Sequence, residues 1–255
     1  MSPTEILFTK LYKKNYLDAI TDIISFYEKN HYGLVNFLYF ANTSLNNSFE
    51  NQKNEPEKKY FNALIQWDFL LPDGIALHLR AKAYQRKHNL PRTWLSNLNW
   101  TDFIPKFLEF LWKTQKISLI LYGASEKTLE KASLELKKQG YNIIHQQNGY
   151  EELNLSEINI PKETIGVLLI ARGSPRQENR SLDHKNIIKE KRILAFTVWG
   201  LLDFIAKSEK RAPKRVRIIH CERLRRFIKN PSKNRRKFMA SFSLFSTIIR
   251  KIILN

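Results

Sequence analysis

One aspartate in this sequence is well placed to take a proton from a substrate. Asp73 stands between Pro72 and Gly74, shortly after the apolar run 67–71. Pro and Gly end a strand, and Gly lets a ligand approach the backbone closely. A carboxylate partly removed from water there could accept a hydroxyl proton. The alternative is that Asp73 caps a helix that starts at Ile75, and the local pattern alone favours the cap.

A second polar cluster follows the most apolar segment of the chain. Residues 165–171 (IGVLLIA) are short, apolar and rich in β-branched side chains, which predicts a strand buried on both faces, as in a parallel sheet. Residues 172–178 (RGSPRQE) then turn polar, and Gly173 and Pro175 end the strand. Open α/β sheets bind ligands at this end of a strand. The alternative is an ordinary strand-to-helix turn in which Ser174 or Pro175 starts the helix.

Apolar strands alternate with amphipathic helices along most of the chain, which predicts an α/β fold with a mainly parallel sheet. Asp102 is expected to cap a helix over 103–112, and residues 84–100 are expected to form a loop. The predicted strands are 35–40, 67–71, 117–122, 141–145, 165–171 and 192–198, and further helices are predicted at 16–27, 75–83, 125–138 and 201–205.

Parallel strands bring their carboxyl ends to one edge, so polar and glycine clusters at these ends can converge on one cleft. Gly123 follows one predicted strand and precedes a helix, which suits close approach of a phosphate to the helix amino end. A turn that simply needs a glycine explains Gly123 equally well. The clusters are residues 42–43, 72–74, 122–123, 173–178 and 199–203.

Motifs of several enzyme classes are missing. The six histidines lack metal-site spacing, there is no D-x-D pair, and neither a dinucleotide-binding motif, a P-loop nor a G-x-S-x-G elbow occurs. We therefore expect no metal and no cofactor. The single cysteine, Cys221, excludes an intramolecular disulfide framework and fits a reducing compartment.

Positive charge is concentrated in the last fifth of the chain. The net charge is +19, and residues 207–255 hold 16 Lys and Arg against two acids, which is +14 of the total. A segment with this charge is typical of proteins that bind nucleic acid, an anionic membrane face or a phosphorylated substrate. We therefore divide the chain into a core, 1–206, and a basic appendage, 207–255. The amino terminus has no secretory h-region, and no apolar run is long enough to span a membrane.

Four segments resemble the WecG/TagA/CpsF glycosyltransferases, in the family's order. The likeness extends over roughly residues 6–238. The segments are PDGIALHLR (72–80), RGSPRQE (172–178), WGLLDFIAKSEKRAPK (199–214) and CERLRRFIKNPSKNRRKF (221–238). The resemblance implies a Rossmann-like α/β core with a basic helical carboxyl-terminal appendage. It also implies an inverting, metal-independent hexosyltransferase of cell-wall teichoic acid or exopolysaccharide synthesis.

The resemblance also implies the substrates and the residues of the site. The donor is a UDP-sugar, of the UDP-N-acetylmannosamine or uronic acid kind, and the acceptor is a polyprenyl-diphosphate-linked saccharide. Asp73 matches the general base, and Asn42 and Gln177 match the other catalytic positions. The substrate-binding residues that we expect are Gly74, Gly123, Gly173, Pro175, Glu178, Asp203, Arg211, Arg223 and Arg226. An Arg fork suits the charge of a diphosphate.

The sequence departs from the family pattern at three places. Phe40 stands where the family usually has Thr, Asn97 where it has Arg, and Ala206-Lys207 where it has A-G. These departures motivate an alternative, a catalytically weakened member of the family. The basic appendage motivates another, a nucleic-acid-binding α/β protein, although the segment carries no zinc-finger, RNA-recognition or basic-zipper pattern.

The end of the chain has an apolar stripe at helical spacing. It is formed by Phe238, Phe242, Phe245, Ile249 and Ile252. Behind a cluster of Arg and Lys, this pattern suits a helix lying in the interface of an anionic membrane, and the alternative is a terminal helix packed on the core. We expect a cytoplasmic enzyme held peripherally on the inner face of the plasma membrane. We expect no nucleic acid partner and leave an oligomer open.

Overall fold

A computed structural model of the chain describes residues 3–39, 55–89 and 95–208. Four predicted site residues lie outside these ranges: Asn42, Arg211, Arg223 and Arg226. The predicted appendage also lies outside them, apart from its first two residues.

The described part of the chain alternates helices with strands. The strands are β1 (Gly33–Tyr39), β2 (Phe69–Asp73), β3 (Ile117–Gly123), β4 (Asn142–Gln147), β5 (Ile165–Ala171) and β6 (Ile193–Thr197). The helices are α1 (Pro3–Lys10), α2 (Tyr16–Asn30), α3 (Glu55–Ile65), α4 (Ile75–Lys87), α5 (Trp100–Thr114), α6 (Glu126–Lys138), α7 (Arg176–Asp183), α8 (Lys185–Glu190) and α9 (Leu201–Ile205).

The six strands form one parallel sheet in the order β2-β1-β6-β5-β3-β4. Every residue of β3 and β5 is buried, as expected for central strands covered by helices on both faces. The prediction of a Rossmann-like α/β fold with a mainly parallel sheet is therefore confirmed. The prediction that 165–171 is a doubly buried strand is confirmed to the residue.

Alternating side chains of the central strands pack against different helices. Leu119 and Leu121 of β3 belong to the main core cluster, with the apolar faces of α2, α5 and α6. Ile120 and Tyr122 point to the opposite face, where they pack with Ile188 of α8. This period of two fixes the register of the sheet, because a shift by one residue would exchange the two faces.

Three local expectations are wrong in detail. The strand expected over 67–71 runs over Phe69–Asp73, so Pro72 and Asp73 belong to the strand instead of ending it. The helix expected over 103–112 runs over Trp100–Thr114, and its N-cap is Asn99, whose Oδ1 accepts the backbone N–H of Asp102 at 3.0 Å. Asp102 lies in the first turn, where a carboxylate is also favourable. Residues 84–87, expected in a loop, continue α4. Helices α1, α3 and α8 were not predicted from the sequence.

The parallel register places the carboxyl ends of neighbouring strands side by side. Tyr39 pairs with Asp73, and Gly123 pairs with Ala171. Each chain segment that leaves a strand here turns into a loop at the same edge. The sheet thus gathers the predicted site residues that the structure describes.

Candidate active site

The predicted site residues within the described ranges follow the ends of four strands. Asp73 ends β2 and Gly74 follows it, Gly123 ends β3, the 173–178 cluster follows β5, and Asp203 lies in α9 after β6. Aromatic rings connect the β1 end to the β6 end, and hydrogen bonds connect the β5 end to the β6 end.

Asp73 is the last residue of β2, and its side chain is only 7 % exposed. The N-cap position of α4 is occupied by Gly74, with φ of 87°, rather than by Asp73. The turn is held from outside: Gly74 N donates to Asn97 Oδ1 at 2.9 Å, and Leu98 N donates to Pro72 O at 2.9 Å. The carboxylate therefore sits on a defined turn at the edge of the sheet.

The turn after β5 begins with a glycine in open space. Gly173 has φ of 69°, and a Cβ built there would meet nothing within 4 Å. Pro175 occupies the N-cap position of α7, so the helix begins where the sequence predicted. Gln177 N donates to Gly173 O at 3.1 Å, which ties the glycine to the first turn of the helix.

Four side chains behind this turn form a closed hydrogen-bonded ring, which we call the Glu178 ring. Ser174 Oγ donates to Glu178 Oε1, and Gln177 Nε2 donates to the same oxygen at 3.1 Å. Trp199 closes the ring, because its Nε1 donates to Ser174 Oγ at 2.8 Å and its backbone N donates to Gln177 Oε1 at 3.3 Å. The ring joins α7 to the loop between β6 and α9.

Gln177 and Glu178 are fully buried. Burial raises the pKa of Glu178 to about 7, although the hydrogen bond from Ser174 acts in the opposite direction. Burial also raises the pKa of Tyr60 of α3 well above its usual range, and the nearby Glu178 carboxyl adds to this rise. Gln177 and Glu178 thus lie beneath the surface of the site, where they contact other side chains of the protein.

The glycine at the end of β3 is required by packing. Gly123 has φ of 122°, and a Cβ there would come within 2.3 Å of Ala171 O. Ala124 N donates to that same carbonyl at 3.1 Å. Close contact between β3 and β5 therefore explains Gly123 as a turn glycine, and the phosphate interpretation stays a prediction.

A half-buried group of aromatic side chains connects the ends of β1, β6 and α5; we call Tyr39, Trp100, Trp199 and Phe204 the aromatic cluster. Tyr39 meets Trp199 edge to face with 5.7 Å between ring centroids. Trp100 lies 6.2 Å from Trp199 and 5.8 Å from Phe204. The sequence analysis did not select Trp199, and the only signal was its place in the 199–203 strand-end cluster.

Asp203 lies in the first turn of α9 and is half-buried. A Cβ built at Gly200 would lie 3.5 Å from Asp203 Oδ2, so the carboxylate stands over the β6–α9 turn. Arg172 directly follows β5 and precedes its turn. Its Nη1 donates to Tyr122 Oη at 2.9 Å.

A separate cavity of about 540 Å³ lies between α6 and β4 and contains none of the predicted site residues. Four glutamates contribute to its lining: Glu126, Glu130, Glu151 and Glu157. Their negative charge disfavours the diphosphate of a nucleotide. The candidate site is therefore the edge around Asp73 and Trp199.

The described ranges contain neither a metal-binding cluster nor a membrane-spanning helix. Within them, no group of three or more His, Cys, Asp or Glu side chains is arranged to hold a metal ion. None of the helices described is both long and apolar enough to cross a membrane.

Comparison with known protein families gives one match that extends over nearly the whole chain. The family model described as "Glycosyl transferase WecG/TagA/CpsF family" matches residues 4–254.

Proposed function

The chain belongs to the WecG/TagA/CpsF family of glycosyltransferases, which act in cell-surface polysaccharide synthesis, and from this premise we propose its reaction. The enzyme transfers a hexose from a UDP-sugar to a hydroxyl of a polyprenyl-diphosphate-linked saccharide. The transfer inverts the anomeric centre and needs no metal ion.

The proposed chemistry is a single displacement. The acceptor oxygen forms a bond to the anomeric carbon while the bond from that carbon to the UDP oxygen breaks. UDP leaves with the bonding electrons, and the proton of the attacking hydroxyl passes to the Asp73 carboxylate. Attack opposite the leaving group inverts the configuration, and general base catalysis of this kind typically contributes about 10²–10⁴-fold.

The observation that carries the proposal is the position of Asp73. The residue is buried, yet it ends a strand at the carboxyl edge of a parallel sheet, where such folds bind their ligands. A carboxylate with a purely structural role would not need this position and could lie in any loop. Here the residue occupies the Pro-Asp-Gly turn whose backbone is fixed by residues 97 and 98.

The leaving UDP carries charge that the site must accommodate. We propose that the turns with Gly74, Gly123, Gly173 and Pro175 approach the donor, because backbone N–H groups and helix amino ends favour phosphate. Asp203 is proposed to contact the nucleotide. Asn42 is proposed as a further catalytic residue, and Arg211, Arg223 and Arg226 as diphosphate ligands; these four lie outside the described residues.

The basic segment beyond residue 206 is proposed to hold the enzyme on the anionic inner face of the membrane, where the lipid-linked acceptor resides. Its +14 charge supports this role, because each Lys or Arg near such a surface contributes about 1 kcal/mol to binding.

A transfer assay with the full chain tests the proposal. A panel of UDP-sugars is incubated with membranes that contain polyprenyl-diphosphate-linked saccharide, with and without EDTA. We expect one donor to be consumed, UDP to be released and EDTA to have no effect. UDP binding without transfer from any donor would identify a weakened member of the family. Salt-sensitive binding to duplex RNA or DNA, with no binding of UDP, would overturn the proposal in favour of a nucleic-acid function.

A further inference from the structure

The Glu178 ring lies directly behind the aromatic cluster at the proposed site. We propose that Glu178 is a positioning residue: its buried carboxyl oxygen orients Ser174, which fixes the Trp199 indole against Tyr39 beside the proposed base. This inference rests on the proposed function, because it assigns Glu178 to the same reaction.

Glu178 Oε1 is the common hydrogen-bond acceptor of the ring. Glu178 Oε1 receives the Ser174 hydroxyl and the Gln177 amide together, so both donors are directed to one fixed point. The residue is 0 % exposed, and a substrate therefore cannot reach it directly. Its carboxyl group acts on its two neighbours within the chain.

The hydroxyl of Ser174 connects Glu178 with Trp199. It donates to Glu178 and accepts from the Trp199 indole N–H at 2.8 Å, so donor and acceptor roles are both used. Hydrogen bonds in such a chain polarise and strengthen one another. Without the Glu178 acceptor the Ser174 hydroxyl would turn towards the Tyr60 phenol, with which Ser174 also forms a hydrogen bond, and its oxygen would be a weaker acceptor for the indole.

The indole of Trp199 connects Ser174 with Tyr39. The residue has φ of 43°, an unfavourable conformation for a bulky side chain that the surrounding contacts must hold. Its ring meets Tyr39 edge to face. Tyr39 is the register partner of Asp73, and its ring lies 3.2 Å from the position of a Cβ at Gly74. Displacement of the indole therefore reaches the Asp73–Gly74 turn through one ring.

The surroundings of Glu178 indicate that its role is acceptance rather than charge. Glu178 Oε2 has no hydrogen-bond partner among the residues that the structure describes, and the nearby titratable group of α3 is the phenol of Tyr60, whose pKa the Glu178 carboxyl helps to raise. Burial raises the pKa of this carboxyl and so favours its neutral form. A Gln amide oxygen at this position can accept the same two hydrogen bonds, whereas a Met side chain of similar length cannot.

The indole N–H resonances of the ¹⁵N-labelled full chain give a readout that requires no sugar transfer. The Trp199→Phe variant identifies the Trp199 resonance among the five tryptophans. In Glu178→Met we expect that resonance to move upfield as its hydrogen bond weakens, and Glu178→Gln is expected to restore it. Ser174→Ala removes the indole's acceptor directly and is expected to give the same upfield shift, which keeps the test informative if Glu178→Met does not fold.

Ser181→Ala is the matched control. This buried serine lies on the same helix, and its Oγ donates to Gln177 O at 2.6 Å, outside the ring. We expect it to leave the Trp199 resonance in place. The proposal is overturned if folded Glu178→Met keeps the wild-type Trp199 resonance, or, where that variant does not fold, if Ser174→Ala keeps it.

Activity supplies the second readout. Once a donor sugar is known, Glu178→Met is expected to lower kcat about tenfold with KM within about twofold, since loss of orientation affects the reacting geometry more than binding. Glu178→Gln is expected to recover most of that rate. If the wild-type chain transfers no sugar, the proposed function fails, whereas the resonance shifts still decide whether Glu178 positions Trp199.

Discussion

Tyr39 and Trp199 meet edge to face at the carboxyl edge of the sheet, with 5.7 Å between their ring centroids and an interplanar angle of 68°. Tyr39 ends β1 and Trp199 follows β6, two strands that are neighbours in the sheet although about 160 residues separate the rings in the chain. The pair connects the Glu178 ring, to which Trp199 belongs, with the turn that carries Asp73, because the Tyr39 ring lies against Gly74. An edge-to-face pair of this kind contributes about 0.5–1.5 kcal/mol beyond the area that it buries.

Replacement of the proposed base by its amide tests the centre of the mechanism. Asp73→Asn keeps the shape of the side chain and removes its ability to take a proton. We expect kcat for sugar transfer to fall by about 10²-fold or more, with UDP affinity and melting temperature close to wild type. Initial rates with the identified donor and calorimetry with UDP measure the two effects.

Asp68→Asn is the matched control for this change, because Asp68 precedes the opposite end of the same strand. Its Oδ2 accepts the backbone N–H of Leu34 at 2.9 Å, an interaction that an Asn oxygen can also make. We expect transfer at near the wild-type rate. Equal rates for wild type and Asp73→Asn would show that another group takes the proton.

The contact between Asn97 and Gly74 predicts a loss of rate with little loss of stability. Asn97→Ala removes the oxygen that accepts Gly74 N–H, so the Asp73 turn loses a support. We expect kcat to fall about tenfold, and the free energy of unfolding to fall by about 1 kcal/mol or less, since the residue is exposed.

Asn99→Ala, two residues further on, should show the reverse pattern. It removes the N-cap of α5 and is expected to cost about 1 kcal/mol of stability with little change in kcat. Urea unfolding and initial rates of the two variants, measured together, separate the roles. A fall in kcat of the same size in both variants would mean that loop stability, rather than the Gly74 contact, controls the rate.

Most of the sheet could be predicted from the sequence, because central parallel strands are recorded as short apolar runs. Residues 165–171 are the clearest example, since every side chain of β5 is buried. Helix α3 was missed because it begins in a stretch rich in charge. Its buried face consists of Tyr60, Phe61, Ala63 and Leu64, which become informative only against the neighbouring α7. The local sequence pattern shows which face of a segment is apolar, but it does not show which helix or strand packs against that face.

The candidate site could be predicted as a set of strand ends but not as a set of contacts. The sequence placed Asp73 and the 173–178 cluster at one edge, and the parallel register explains why they gather there. It could not show that Glu178 is buried beneath the edge, or that Trp199 bonds to Ser174, 25 residues away. Such hydrogen bonds depend on side-chain positions that only the folded chain determines.

The raised pKa of Glu178 predicts a pH-dependent stability. The folded carboxyl has a pKa of about 7 and the unfolded one an ordinary pKa of 4.5, so the folded state binds an extra proton between these values. The contribution of Glu178 to stability is therefore largest below pH 4.5 and is lost as the pH rises towards 7. The full loss is about 3 kcal/mol.

Glu178→Gln removes this titration and provides the comparison. Urea unfolding of wild type and variant from about pH 4.5 to pH 8 should give curves whose difference grows with pH in favour of the variant and levels off above about pH 7. Other titrating groups cancel in that difference. A constant difference across the range would contradict a raised pKa at Glu178.

Two glycines at the same edge predict unequal costs of an added methyl group. In Gly123→Ala the new Cβ would lie 2.3 Å from Ala171 O, in a backbone conformation with φ of 122°, so β3 and β5 must separate. We expect the free energy of unfolding to fall by about 3 kcal/mol.

In Gly173→Ala the Cβ meets nothing within 4 Å, and only the strain of φ at 69° remains, which costs about 1 kcal/mol. Urea denaturation followed by circular dichroism measures both losses. Since Gly173 faces open space at the proposed donor site, Gly173→Ala is also expected to weaken UDP binding in calorimetry. A larger loss of stability in Gly173→Ala than in Gly123→Ala would contradict the close packing of β3 on β5.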